Sequence, residues 1–458
     1  MRKIFPAIIS LILITLQFHL VQAQTESPKS DLPNPYEIFG KYVKQNNYIT
    51  PLFELKEMED KYLASPFWKE PYLESMILLE GWVGNYEEAY KYENVLYETS
   101  PVYKQRKNAL KAEIPDAGKS PLAGYKMLDP LDAIETIAAS RQVIMINEEH
   151  HTPFHRATTL QLLKRLYDKG FRYFALEALS IDNERLRSKE DMELNKRGYP
   201  THQTGYYTDD PVFADAIRIA LKLGYKVVSY EAPAICEPGV DRNTCNERRE
   251  RGQAQNIYDR ILKNDPQAKI LVHAGRAHNS KYVDKDNSKL MAGYFQEITR
   301  IVPFTIDQLH FSERLNAAHE YPLYRYLTRN NLLRKPSIYQ AADESFFNQR
   351  TLGIDIAIFH PRMKYENGRA TFLKMNGLRQ AKKINLKKLK LKANKNLFTG
   401  SEPILIQAFY AGESADAVPV DQIILYPNKE IPALILPKGS FRIRAIDRAG
   451  KILNQYEK

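Results

Sequence analysis

The period of the apolar positions changes near residue 140, and the change divides the chain. From Pro35 to about Ser140 they recur at helical spacing: Leu55, Met58 and Tyr62, then Leu73, Met76, Ile77 and Leu79, then Tyr90, Tyr92 and Leu96. From Arg141, short apolar runs alternate with amphipathic stretches. The pattern predicts buried strands over Gln142–Ile146, Arg172–Leu176, Lys226–Ser229 and Lys269–His273. Between them it predicts helices over Pro153–Tyr167, Pro211–Leu223, Ala254–Leu262 and Lys289–Ile298. Thr299–Ile306 and Ile354–Phe359 read as further strands. Alternation at this spacing implies an α/β fold, a mostly parallel sheet with helices on both faces.

Beyond Asn394 the runs shorten to Pro403–Phe409, Gln422–Leu425, Ile431–Leu436 and Phe441–Ile446. Asp447-Arg448-Ala449-Gly450 forms a hairpin signal before Lys451–Leu453. A small β-sandwich-like domain is expected there. Gly84-Asn85-Tyr86-Glu87-Glu88-Ala89 resembles half of a tetratricopeptide unit, but one copy cannot stack into a solenoid. The expected organisation is a signal peptide (1–23), a linker (24–35), a helical region (36–140), an α/β core (141–380) and a C-terminal β domain (381–458). The chain of 458 residues is long enough for more than one core. Ile384–Lys392 alternates Leu with Lys and reads as either a solvated face or a half-buried strand.

The first residues change the picture from cytoplasmic to exported. Arg2 and Lys3 precede an apolar run from Ile4 to Leu20, and Val21-Gln22-Ala23 offers a cleavage site before Gln24. Pro6, Gln17 and His19 make that run poor as a membrane span, and no later segment is apolar for long enough. A secreted or periplasmic location is expected. The two cysteines, Cys236 and Cys245, are then expected to form a disulfide. A formal charge of +11 invites a nucleic-acid reading, but much of the excess lies between Lys382 and Lys395, outside any recognisable nucleic-acid module. No nucleic-acid partner is expected.

Ligands of open α/β sheets bind beyond the carboxyl ends of the strands. After the first predicted strand comes Asn147-Glu148-Glu149-His150-His151-Thr152-Pro153-Phe154-His155-Arg156, and after the second comes Glu177. After the third come Tyr230 and Glu231, and the fourth ends in His273-Ala274-Gly275-Arg276-Ala277-His278. Four strands in succession thus end in ionisable residues on the edge where a shared site can form. Glu177 follows an apolar strand, where an unpaired carboxylate is costly to bury, so it needs a partner such as Arg156 or a histidine. Gly-x-Ser-x-Gly, His-Glu-x-x-His, Walker and Gly-x-Gly-x-x-Gly signatures are absent from the sequence.

Asn147–Arg156, followed by Gln161-Leu162-Leu163, resembles the Gly-Glu-x-His opening of ChaN-type haem-binding proteins. It is also similar to the erythromycin esterase and Tiki/TraB groups of the same broad superfamily. Ala175-Leu176-Glu177, Gly205-Tyr206-Tyr207-Thr208 before Asp210-Pro211, Arg251, Asn256 and Gly275-x-x-His278 carry the resemblance across residues 140–310. Asn147 stands where the family has its first Gly, and Gln253 where members often carry Met. The family's Glu-x-His selects Glu148 and His150, the esterase-like Glu-x-x-His selects Glu148 and His151, and both registers are satisfied here.

The leading expectation is a hydrolase that activates water against an ester or amide. His150 or His151 takes a proton from water, Glu148 orients that histidine, Glu177 tunes it, and His278 or Arg276 stabilises the oxyanion. Glu149, His155, Tyr230, Glu231 and Arg251 are candidate substrate contacts. In the Tiki-like variant, Glu148, His150, Glu177 and His278 hold a divalent transition metal. The alternative function, implied by the ChaN resemblance, is haem or iron binding without catalysis.

Overall fold

A computed structural model describes residues 32–100, 122–179, 189–233, 236, 239–285, 287–348 and 353–458. The signal segment and the linker up to residue 31 lie outside the described residues. Six strands form the central sheet: β1 Val143–Glu148, β2 Phe171–Leu176, β3 Lys226–Ser229, β4 Lys269–Gly275, β5 Phe304–Asp307 and β6 Ile356–Ala357. Their spatial order is β3-β2-β4-β1-β5-β6, and every neighbouring pair is parallel. Because β4 lies between β2 and β1, the carboxyl ends of three site-bearing strands are adjacent.

Alternating side chains of each strand face opposite layers, which is why the strands read as continuous apolar runs. Ile144 and Ile146 of β1 pack with Leu162, Leu163 and Leu166 of helix α1 (Pro153–Asp168) and Phe213 and Ile217 of α2 (Pro211–Leu223). Val143 and Met145 face the other way, onto Ala254 and Ile257 of α3 (Arg242–Ile257) and Phe295 of α4 (Met291–Thr299). Helix α2 is bounded as its sequence signals require. Asp210 accepts from the amides of Val212 and Phe213, Pro211 occupies the first turn, and Gly224 closes the helix at φ 99°.

Two boundaries differ from expectation. Helix α3 begins twelve residues before Ala254, capped by Asp241, because the face it turns to the protein is polar: Arg249, Glu250 and Gln253 are buried on it. A hydrophobic period cannot detect such a helix. Strand β5 starts at Phe304 rather than Thr299, because α4 runs through Thr299 and Arg300 leaves it at φ 63°.

Among the described residues six helices come before the sheet, Pro35–Val43, Ile49–Glu57, Glu59–Ala64, Lys69–Trp82, Tyr86–Thr99 and Pro130–Ala138. After it lies a four-stranded antiparallel sheet of Ile404–Tyr410, Asp421–Leu425, Phe441–Ile446 and Ile452–Glu457. One face of that sheet covers Leu389, Phe398, Leu434 and Leu436, and Ile384, Leu386 and Leu391 of the Lys-rich stretch are half-buried against it. Leu405, Ile424 and Ile446 on the other face share a core with Tyr48, Leu52, Leu73 and Trp82 of the helices. Hydrogen bonds cross the same boundary, from Asn46 Nδ2 to the Ala417 carbonyl and from Gln422 Nε2 to the Trp82 carbonyl. No helix of the described residues is long and apolar enough to cross a membrane.

Candidate functional site

The site is assembled around two buried arginines. Glu148, last in β1, stands in register with Gly275 of β4. Arg156, in the first turn of α1, reaches back to it: Nε donates to Oε2 at 2.5 Å and Nη2 to Oε1 at 2.8 Å. Its Nη1 donates to Asp210 Oδ2 at 2.7 Å, while Asp210 Oδ1 caps α2. Burial by itself would raise the Glu148 pKa, but Arg156, His273 and His150 hold the carboxyl well below the usual carboxylate range.

An ionised Glu148 can only accept, so the 3.0 Å contact between its Oε1 and His150 Nδ1 is an N–H donation. In the neutral ring, Nε2 is then the nitrogen that carries no proton. The ring stacks on Tyr207 at a centroid distance of 4.2 Å and an angle of 7°. On its other side, a Cβ added to Gly275 would come within 2.4 Å of His150 Cε1 and 2.9 Å of Glu177 Oε2, so only glycine fits. Tyr207 is held at φ 58° by a loop whose Gly205 abuts the Ala178 carbonyl, 2.0 Å from where a Cβ would lie. The left-handed backbone costs energy, which packing around Tyr207 must offset.

The second arginine, Arg249 of α3, binds the groups after β2 and β3. It donates to Glu177 Oε1 at 2.9 Å and to Glu231 Oε2 at 2.6 Å. Glu177 Oε2 also accepts from the Gly275 amide. His278 Nε2 lies 3.3 Å from Glu177 Oε1, and its Nδ1 lies 2.7 Å from Glu250 Oε1. Burial would lower the His278 pKa, yet Glu250 and Glu177 push it up to about 10. The same partnership works on Glu177, where His278, Arg249 and His150 overcome burial and hold the carboxyl well below its ordinary value.

The two adjacent histidines point to different partners. His151 Nε2 lies 2.6 Å from Glu93 Oε1, on helix Tyr86–Thr99, and Glu93 is also bound by Arg314. Arg276, at φ 44°, sets its Nε 3.0 Å from Glu149 Oε1. His273, within β4, lies 3.7 Å from Glu148 Oε2, and burial lowers its pKa to about 4.

Three of the expected substrate contacts are placed elsewhere. His155 is fully buried, accepting from the Glu149 amide at 3.1 Å and meeting Ser312 Oγ at its other nitrogen. Tyr230 is buried and donates to the His273 carbonyl. Arg251 projects outward to Glu297, because two residues along a helix turn a side chain to the opposite face; Arg249 is the arginine of α3 that faces the site. Glu177 is paired by Arg249 and His278, and Arg156 serves Glu148 and Asp210 instead.

Glu148, His150, Glu177 and His278 do not form a metal-ligand set. Among the described residues no group of three or more His, Cys, Asp or Glu side chains could hold a metal ion. Arg156 binds both oxygens of Glu148, and Arg249 and the Gly275 amide bind one oxygen each of Glu177.

A small cavity opens beside His150. It is lined by Tyr36, Glu74, Ile77, Leu78 and Leu96 of the N-terminal helices together with His150, His151 and Tyr207, and its volume is about 20 Å³. That is room for about one water. The cavity is not sealed but opens partly to its surroundings. Sequence patterning had no means of finding Tyr36, Glu74 or Glu93, which sit in ordinary amphipathic helices far from any motif.

Cys236 and Cys245 form a disulfide, which ties the segment after Glu231 to the first turn of α3. The bond and the lack of a spanning helix in the described residues are compatible with an exported protein.

No protein-family model matches the chain, and no curated protein matches it by sequence. Three solved structures are similar to it at a low level. The type III effector HopBA1 is 15% identical with a TM-score of 0.29, over 44% of this chain and 96% of the effector. ChaN of Campylobacter jejuni, described with cofacial haem binding, is 10% identical with a TM-score of 0.29, over 43% of this chain and 94% of ChaN. RRSP, a MARTX toxin effector domain from Vibrio vulnificus CMCP6, is 12% identical with a TM-score of 0.28, over 70% of this chain and 58% of that chain. All three TM-scores lie below 0.5 and all three identities below 25%, and neither a family nor an activity follows from them.

Proposed function

We propose that the protein is an exported hydrolase that activates water with the Glu148–His150 pair and cleaves an ester or amide bond. One observation carries this reading. Arg156 keeps Glu148 ionised, Glu148 accepts a hydrogen bond from the Nδ1–H of His150, and the Nε2 left without a proton in the neutral ring belongs to a residue lining the cavity. A base needs that tautomer and a water within reach. His150 accepts the proton of water as its oxygen attacks the carbonyl carbon. Arg276 and the imidazolium of His278 supply positive charge for the oxyanion that forms. Glu177, fixed by Arg249, holds His278 charged and the Gly275 amide in line.

Purified protein tested on p-nitrophenyl acetate provides the check. His150→Ala is expected to lose roughly 10²–10⁴-fold in kcat/KM, and His151→Ala much less, since His151 is committed to Glu93. No turnover by the wild type, or equal turnover by His150→Ala, overturns the reading.

A further inference from the structure

The cavity beside His150 has a second wall, and it is supplied by residues outside the strand-end cluster. Glu74 of helix Lys69–Trp82 and Tyr36 of helix Pro35–Val43 line it together with His150 and Tyr207. Glu74 is buried at 6% exposure, and Tyr36 donates its phenolic proton to Glu74 Oε2. The charged and titratable groups around it are Tyr36, Glu70 one turn earlier on the same helix, Arg276, Tyr207, and the cavity-lining His150 and His151. The rest of the lining on that side is Ile77, Leu78 and Leu96, which cannot stabilise a carboxylate.

We infer that Glu74 is the general acid of this site, donating a proton from Oε1 to the leaving group while His150 acts as the base on the opposite wall. The inference rests on the hydrolase reading and assigns its second proton. Burial, offset only in part by Tyr36 and Arg276, pushes the Glu74 carboxyl up to about 8, so it carries a proton at neutral pH. Water loses a proton to His150 Nε2 as its oxygen bonds to the carbonyl carbon. When the intermediate collapses, the bond to the leaving oxygen or nitrogen breaks. That atom keeps the electron pair and takes the Glu74 proton. The proton on His150 then returns to Glu74 through cavity water, restoring both groups.

An acid matters only when the leaving group is poor, and this separates the inference from the reading beneath it. The full chain and Glu74→Gln are compared on p-nitrophenyl acetate and ethyl acetate. Glu74→Gln is expected to stay within a few-fold on the nitrophenyl ester and to fall on the order of 100-fold on the ethyl ester. Wild-type turnover of ethyl acetate is expected to decline as pH rises through about 8, a limb that Glu74→Gln lacks. Tyr36→Phe removes a hydrogen bond that favours the ionised acid, so its limb moves to higher pH. Equal loss on both esters, loss on neither, or a wild type that hydrolyses only the nitrophenyl ester overturns the acid while leaving the hydrolase intact. Turnover of neither ester overturns both. Should Glu74→Gln fail to fold, the position of the Tyr36→Phe limb decides, and an unmoved limb overturns the acid.

Discussion

Arg156 joins two buried carboxylates that belong to different functions of the fold. Through Glu148 it sets the tautomer of His150, and through Asp210 it fixes the start of α2. Removing one partner of a buried pair leaves the other charge uncompensated, which costs far more than the pair's net worth. Arg156→Ala is therefore expected to destabilise the protein by about 3–5 kcal/mol, read as a lower urea midpoint with an unchanged slope. At this scale the strand-end residues Glu148, Glu177, Glu231 and His278 were legible, because each follows an apolar run that must end at the sheet edge. Which of His150 and His151 meets Glu148 was not, because that depends on side-chain direction in a turn.

At the scale of elements, α3 shows where patterning stops working. Its first three turns read as solvated, RNTCNERRER, yet Cys245, Arg249, Glu250 and Gln253 all lie on the buried face. A helix that covers a charged site must itself present charge inward, so its hydrophobic period vanishes where its role is greatest. The disulfide pins the first turn of that helix. Cys236→Ser with Cys245→Ser is expected to cost about 2–3 kcal/mol through loop-closure entropy. The check is a lower Tm for the double variant than for the wild type, with the difference lost under reducing conditions.

For the whole molecule, buried titratable groups set the response to pH. Folded Glu74 keeps its proton up to about 8, whereas the unfolded chain releases it near the ordinary carboxylate value of 4.5. Folded His278 keeps its proton up to about 10 against 6.5. In both windows the unfolded state binds fewer protons, so stability falls as pH rises. Glu148 and Glu177 have depressed values, so their contribution is present above 4.5 and is lost on acidification. Urea unfolding is expected to show the midpoint declining from about pH 4.5 to 10, more steeply once His278 joins above 6.5, and falling again on acidification below 4.5. A flat profile across the alkaline window would contradict the burial of both groups.

The sequence by itself determined the parallel α/β core, the C-terminal antiparallel strands and the strand-end positions of the ionisable residues. Those follow from local rules: apolar period, caps, turns and the direction of a parallel strand. Only the tertiary structure decided that the N-terminal helices close the site with Glu74, Tyr36 and Glu93, that Arg249 rather than Arg251 faces inward, and that Arg156 and Arg249 bind the strand-end carboxylates. Contacts of that kind join residues far apart in the chain, and packing geometry, which no local pattern encodes, selects them.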